Sequence, residues 1–184
     1  MDETFIGGKI SNMHKSKKPK GKGFSGKSTG STGKTIVVGM LERNGRVKAE
    51  VVMERTAASL RLVANKHVHP EAKLVTDEWS GYNGINFERA VVNHAIEYVN
   101  GQIHTNGIEN FWSLLKRSLA GTYISVEPFH LERYVDEQAY RFNNRATKDN
   151  PVNDADRFMG VLAQISGKRL TYAELTGKVG ETAV

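Results

Sequence analysis

Cysteine is missing from all 184 residues, so neither a disulfide framework nor a thiolate zinc site can be built, and a reducing compartment is compatible. Also missing is any apolar run near the ~18–20 residues that a membrane-spanning helix needs. The first residues are acidic and turn-rich, without the basic start and apolar middle of a secretory signal. Together these absences predict a soluble, cytoplasmic protein. One further absence is local: no acid occurs between residues 9 and 34. Residues 1–34 hold eight lysines against Asp2 and Glu3, which accounts for the whole net charge of +6 and leaves 18 basic and 18 acidic side chains elsewhere.

A chain of this length can bury a core without staples, and it contains no internal repeat. Residues 2–6 are strand-like and stop at Gly7-Gly8. Residues 9–34 are lysine, glycine and serine with almost no apolar area to offset the entropy of ordering, which predicts a mobile loop. Its cations Lys15, Lys17, Lys18, Lys20, Lys22 and Lys27 suit a phosphate backbone rather than base edges; a solubilising linker is the plainer alternative. Residues 35–43 and 46–52 flank Asn44-Gly45, the pair that favours a type I′ hairpin, and alternation in the second run predicts one dry face built from Val47, Ala49 and Val51.

Residues 57–68 place Leu60, Val63, Ala64 and His67 at helical spacing after Thr56 as cap, with His69-Pro70 as the stop. Residues 73–76 read as a short buried strand ending at Asp77, and residues 78–89 as a loop anchored by Trp79 and Tyr82. Residues 90–93 form another short strand. An amphipathic helix over residues 104–117 then sets Ile108, Phe111, Trp112, Leu115 and Leu119 on one face. A second helix is predicted over 128–143, with Leu131, Tyr134, Val135 and Phe142 on one face, and weaker helical segments near 158–165 and 172–175. Strands mixed with one helix, then helices alone, predict an α/β sheet covered by helices.

Three carboxylates occupy places that such a sheet can bring together: Asp2 on the first strand, Asp77 at the end of a later one, and Glu109 on the following helix. Carboxylates that close repel one another unless a cation neutralises them. Hard oxygen ligands select Mg²⁺ or Mn²⁺, and two such ions ~3.5–4 Å apart activate an attacking oxygen and stabilise a leaving one at phosphorus. Lys116 follows Glu109 by seven residues, hence ~10 Å along the axis, outside a metal shell but suited to a neighbouring phosphate, with Arg117 beside it. Plainer readings stand next to these. Glu109 can close a capping box on Asn106, and Lys116 and Arg117 can be solvated charges near a helix end. His94 and His104 can be hydrogen-bonding structural residues beside the site. Trp79 and Tyr82 suit a base-stacking role and a cap over the strand ends equally well.

The motifs Asp2-Glu-Thr-Phe-Ile-Gly-Gly8, Val75-Thr-Asp-Glu78 with Tyr82, Val92-Asn-His94, the stretch from His104 to Arg117, Gly121-Thr-Tyr123 and Leu131-Glu-Arg-Tyr134 follow in an order that resembles the ISXO-type insertion-sequence transposases over residues 2–145. The resemblance implies an RNase H-like mixed sheet with flanking helices, to which the residues themselves add a long basic loop at 9–34 between the first two strands and a C-terminal helical tail at 146–184. It implies a DDE triad of Asp2, Asp77 and Glu109 holding two Mg²⁺ or Mn²⁺ ions, with Lys116 as the family's lysine beyond the third acid. Some relatives carry another residue at the third position, where Asn106 is the nearest polar substitute. The implied activity is cleavage and strand transfer of insertion-sequence ends by a homo-oligomer acting on transposon-end and target DNA near the bacterial nucleoid. No membrane and no small-molecule substrate enter this picture. Family members usually have residues, and often a cysteine-bearing DNA-binding module, ahead of the first acid, whereas Met1 alone precedes Asp2 here. That departure leaves a second expectation open: a truncated, catalytically impaired remnant that binds DNA without catalysis.

Overall fold

The computed structural model describes residues 1–8, 12, 14, 33–92, 106–124, 126–148 and 150–177, and the chain falls into two compact units, Met1–Ala139 and Tyr140–Val184. In the first unit, β1 (Asp2–Ile6), β2 (Thr35–Leu41) and β3 (Val47–Val52) form an antiparallel sheet in that order. Helix α1 (Ala57–His67) follows, then β4 (Leu74–Thr76) and β5 (Arg89–Val91), which pair in parallel. The Met1 nitrogen donates to the Val75 carbonyl oxygen at 2.7 Å, tying the head of β1 to β4. Helices α2 (Asn106–Gly121) and α3 (Leu131–Asn143) come last, α3 being preceded by a 3₁₀ turn at Pro128–His130 and belonging to this unit only as far as Ala139.

Register decides what each side chain meets. Asp2 pairs with Gly39 and Thr4 with Val37, while Glu3 pairs with Val38 and Phe5 with Ile36. Strand alternation therefore sends Asp2, Thr4, Val37 and Gly39 to one face and Glu3, Phe5, Ile36 and Val38 to the other. Helix α2 covers the Gly39 face, where a Cβ would come within 2.5 Å of the Trp112 ring and 3.0 Å of Ile108. Helix α1 covers the opposite face, where Leu60, Val63 and Ala64 share a core with Val38, Met40, Val52 and Tyr82. The single dry face expected of the hairpin is corrected by this arrangement: Val37 and Val38 point to opposite sides and both are fully buried.

Local signals explain most element boundaries. Thr56 caps α1 by accepting the Ser59 N–H at 3.1 Å. The stripe Ile108, Phe111, Trp112, Leu115 and Leu119 is buried along α2 as its spacing requires. Asn106 is the first helical residue of α2 and exposed, not the cap in front of it. The β2–β3 turn also departs from the type I′ expectation, which needs positive φ at both central residues. Asn44 has φ 57 but Gly45 stays outside the left-handed region. The connection is instead longer, with Gly45 N–H donating to Glu42 O at 2.9 Å and Glu42 N–H to Arg46 O at 3.0 Å.

The second unit contains α4 (Asp154–Leu162) and α5 (Tyr172–Thr176). Each starts with a reciprocal capping box, Asn153 with Asp156 and Thr171 with Glu174. Gly177 ends α5 in the left-handed region at φ 73. Among the described residues no helix is long and apolar enough to cross a membrane.

Gly39→Ala is expected to destabilise the chain by about 1–3 kcal/mol, because the new methyl has to displace a buried indole. Gly107→Ala meets only the Leu41 Cδ2 end, 2.5 Å away, which can rotate, so it is expected to be near neutral. Urea unfolding followed by circular dichroism separates the two; equal effects would contradict the packing described for α2.

Candidate active site

Asp2 opens β1 on the face covered by α2. A tryptophan buried in an aliphatic stripe has to satisfy its indole N–H, and Trp112 does so by donating Nε1–H to Asp2 Oδ2 at 2.9 Å. Trp112 lies three residues, close to one turn, beyond Glu109. The helix that carries Glu109 thus holds Asp2. Asp77 follows β4, and its Oδ1 accepts the Trp79 backbone N–H at 3.1 Å, a turn that fixes the carboxylate through its own chain.

The charges act on a common set of groups. Burial, above all, raises the Asp2 carboxyl above its ordinary value, and the charge of Asp77 adds to the shift; the Trp112 N–H and the Glu3 backbone N–H oppose it. Burial lowers the Met1 amine to about 6 against the pull of Asp2, Asp77 and Glu3. The Tyr82 hydroxyl is pushed up by burial first, then by Glu3, with Asp2 and Asp77 contributing. Asp2, Glu3 and Asp77 therefore occupy one electrostatic neighbourhood.

Glu3 points to the other face of β1. Its side chain is 2% exposed and pairs with the Arg55 guanidinium while accepting the Tyr82 hydroxyl proton. Burial raises the Glu3 carboxyl, and Tyr82 and then Arg55 offset part of the shift. Arg55 thus serves Glu3 and leaves the repulsion between Asp2 and Asp77 in place. Two hard-oxygen ligands that repel each other, each oriented by a hydrogen bond to one named oxygen, fit a divalent cation; Asp2 and Asp77 would hold it.

Glu109 lies in the first turn of α2. Among the described residues no group of three or more His, Cys, Asp or Glu side chains stands ready to hold an ion. Ile108, Phe111 and Trp112 point their face of α2 into the sheet, and Glu109 sits beside that face, exposed in the first turn. Lys116 and Arg117 are exposed further along α2, as is Asn106 at its start. Lys15, Lys17, Lys18, Lys20, Lys22, Lys27, His94 and His104 lie outside the described residues. Sequence reasoning missed Glu3, Arg55 and the polar role of Trp112. For Trp112 a signal existed, since its N–H needs an acceptor and the remaining residues of its stripe supply none.

An acid whose folded pKa is raised binds its proton more tightly when folded, so its ionisation at neutral pH costs stability, and the cost appears as pH rises through the raised value. Asp2→Asn keeps an oxygen for the Trp112 N–H and removes that cost. In EDTA at pH 7 this variant is expected to melt a few degrees above the parent chain, and with Mn²⁺ the parent is expected to gain stability that the variant does not. Thermal melts with and without the ion decide it; a parent unaffected by Mn²⁺ would count against the cation fit.

Among solved structures, the catalytic core domain of BIV integrase is similar to this chain, with a TM-score of 0.50 and 18% identity over 73% of this chain and 90% of that one. At that identity the likeness is one of fold, and the fold is RNase H-like, a mixed α/β arrangement with flanking helices. No curated protein sequence matches the chain. Residues 1–143 match the ISXO2-like transposase domain, more than half of the sequence, and the chain belongs to that family of DDE transposases.

Proposed function

We propose that this chain is the catalytic domain of a DNA transposase that cleaves insertion-sequence ends and joins them to target DNA. The observation that carries the reading is the hydrogen bond from Trp112 to Asp2, which anchors the first acid to the helix bearing Glu109. Asp2, Asp77 and Glu109 are the residues that would hold two Mg²⁺ or Mn²⁺ ions. When bound, the ions supply Lewis-acid activation at the phosphorus being attacked.

The remaining roles belong to the protein. Trp112 and the Trp79 backbone N–H hold Asp2 and Asp77 in fixed orientations, so that little reorganisation is needed when DNA arrives. Glu109, on the exposed first turn of α2, faces the solvent side from which a DNA backbone approaches. Lys116 and Arg117 are exposed on the same helix and suited to phosphates further along. The lysines of residues 9–34 add sequence-independent affinity for DNA. The working form is a homo-oligomer holding two ends and a target, in the cytoplasm at the nucleoid.

A second reading is a remnant that binds DNA without cutting it. Strand transfer from a pre-cleaved end in Mn²⁺ separates the two. The parent chain is expected to be active and Asp77→Asn and Glu109→Gln to fall to background; DNA binding with no transfer by the parent chain supports the remnant instead.

The lysine segment makes its own prediction. Each released phosphate counterion contributes ~0.9 to the salt slope, so five Lys→Gln changes among residues 15–27 are expected to flatten log K against log salt by up to about 4.5. An unchanged slope in fluorescence-anisotropy titrations would remove these lysines from the interface.

A further inference from the structure

Resting on the acid pair of the proposed function, one side chain outside it touches a near neighbour in sequence of each carboxylate. Arg55 precedes α1 and reaches across to β1, where its guanidinium pairs with Glu3, the neighbour of Asp2 in sequence. The guanidinium carbon also lies 3.6 Å from the centroid of the Trp79 ring and 5.6 Å from that of Phe5. Trp79 is the residue whose backbone N–H holds Asp77 Oδ1. The planar cation is therefore gripped on one side by the strand that carries Asp2 and stacked on the other against the turn that carries Asp77.

The surroundings leave this turn few alternatives. Trp79 packs edge-on against Tyr82 with ring centroids 5.7 Å apart, and the Tyr82 hydroxyl donates to the same Glu3 carboxylate. Gly81 lies so close under the indole that a Cβ there would fall within 2.1 Å of two ring carbons. Glu3, Arg55, Trp79 and Tyr82 thus close a ring of contacts behind the two acids.

We propose that Arg55 is a positioning residue: by stacking on Trp79 while paired to Glu3, it sets the separation of Asp77 from Asp2 and thereby the affinity of the pair for a divalent cation. A mere charge role predicts the opposite sign. Deleting a cation beside an acidic site makes the local potential more negative and tightens binding of a divalent ion, whereas loosening the Asp77 turn weakens it. Lysine cannot replace the flat guanidinium over the ring, although it keeps the charge opposite Glu3.

The test is isothermal titration of the full metal-free chain with Mn²⁺ alone, for the parent, Arg55→Met, Arg55→Lys, Trp79→Leu and Asp77→Asn, with thermal melts in EDTA as the check on folding. Asp77→Asn is expected to lose binding. Arg55→Met, Arg55→Lys and Trp79→Leu are expected to bind about tenfold more weakly, the loss typical of an outer-shell partner, and amide exchange at Trp79 is expected to quicken in Arg55→Lys before any metal is added. Should Arg55→Met fail to fold, Arg55→Lys and Trp79→Leu decide, since neither alters the charge. Parent-like or tighter binding in the folded variants, with Asp77→Asn impaired, overturns the role of Arg55 alone. A parent chain that binds no Mn²⁺, or an Asp77→Asn variant that binds like it, overturns the cation reading and this inference with it.

Discussion

The hydrogen bond between the Trp112 indole and Asp2 organises the first unit, and it exists because Gly39 has no side chain. Asp2 and Gly39 are partners in the β1–β2 register, so the vacancy above Gly39 lies next to Asp2. The ring of Trp112 fills it, and its N–H is then within reach of the carboxylate. A packing requirement and a polar requirement are met by the same residue. Helix α2 cannot slide along the sheet without losing both, and for that reason the acid on the strand and the acid on the helix keep a fixed relation.

Strand β1 divides its acids by face. Glu3, on the α1 side, is almost completely enclosed, and an unpaired charge there would cost several kcal/mol. Arg55 and Tyr82 meet that demand. Asp2, on the α2 side, is half-buried and receives the N–H of Trp112 and the Glu3 backbone N–H, with the Met1 amine lowering its carboxyl and the charge of Asp77 raising it. Successive residues of one strand thus follow different rules: one carboxylate is paired with a guanidinium, and the other is held by an indole N–H.

What the sequence revealed depends on the period involved. The α2 stripe could be read because five apolar residues repeat at helical spacing, and the structure buries all five. The first α-helix and its Thr56 cap could be read for the same reason. The two-sided burial of β2 was harder to see, since the run Ile36-Val37-Val38 carries no alternation and is consistent with several packings. The Asn44-Gly45 pair misled on turn type because its φ preferences compete with the five-residue span between Leu41 and Val47 set by pairing. Asp2 and Asp77 could be nominated from their positions on or just after strands, whereas the pairing of Arg55 with Glu3 and its stacking on Trp79 join segments distant in sequence, which no local pattern encodes.

Stability and chemistry pull against each other at Asp2. A strand residue facing a packed helix would be most stable as an apolar or neutral side chain, and the raised carboxyl records the cost of placing a charge there. Protonation relieves that cost, and the charge of Asp77 adds to it. The hydrogen bonds from Trp112 and the Trp79 backbone are too weak to neutralise either acid, at about 1.5–3 kcal/mol for a bond to a charged group, yet strong enough to aim both. Asp2 is thus a local exception to the rule that buries apolar groups and exposes charged ones, maintained by the directional bond from Trp112.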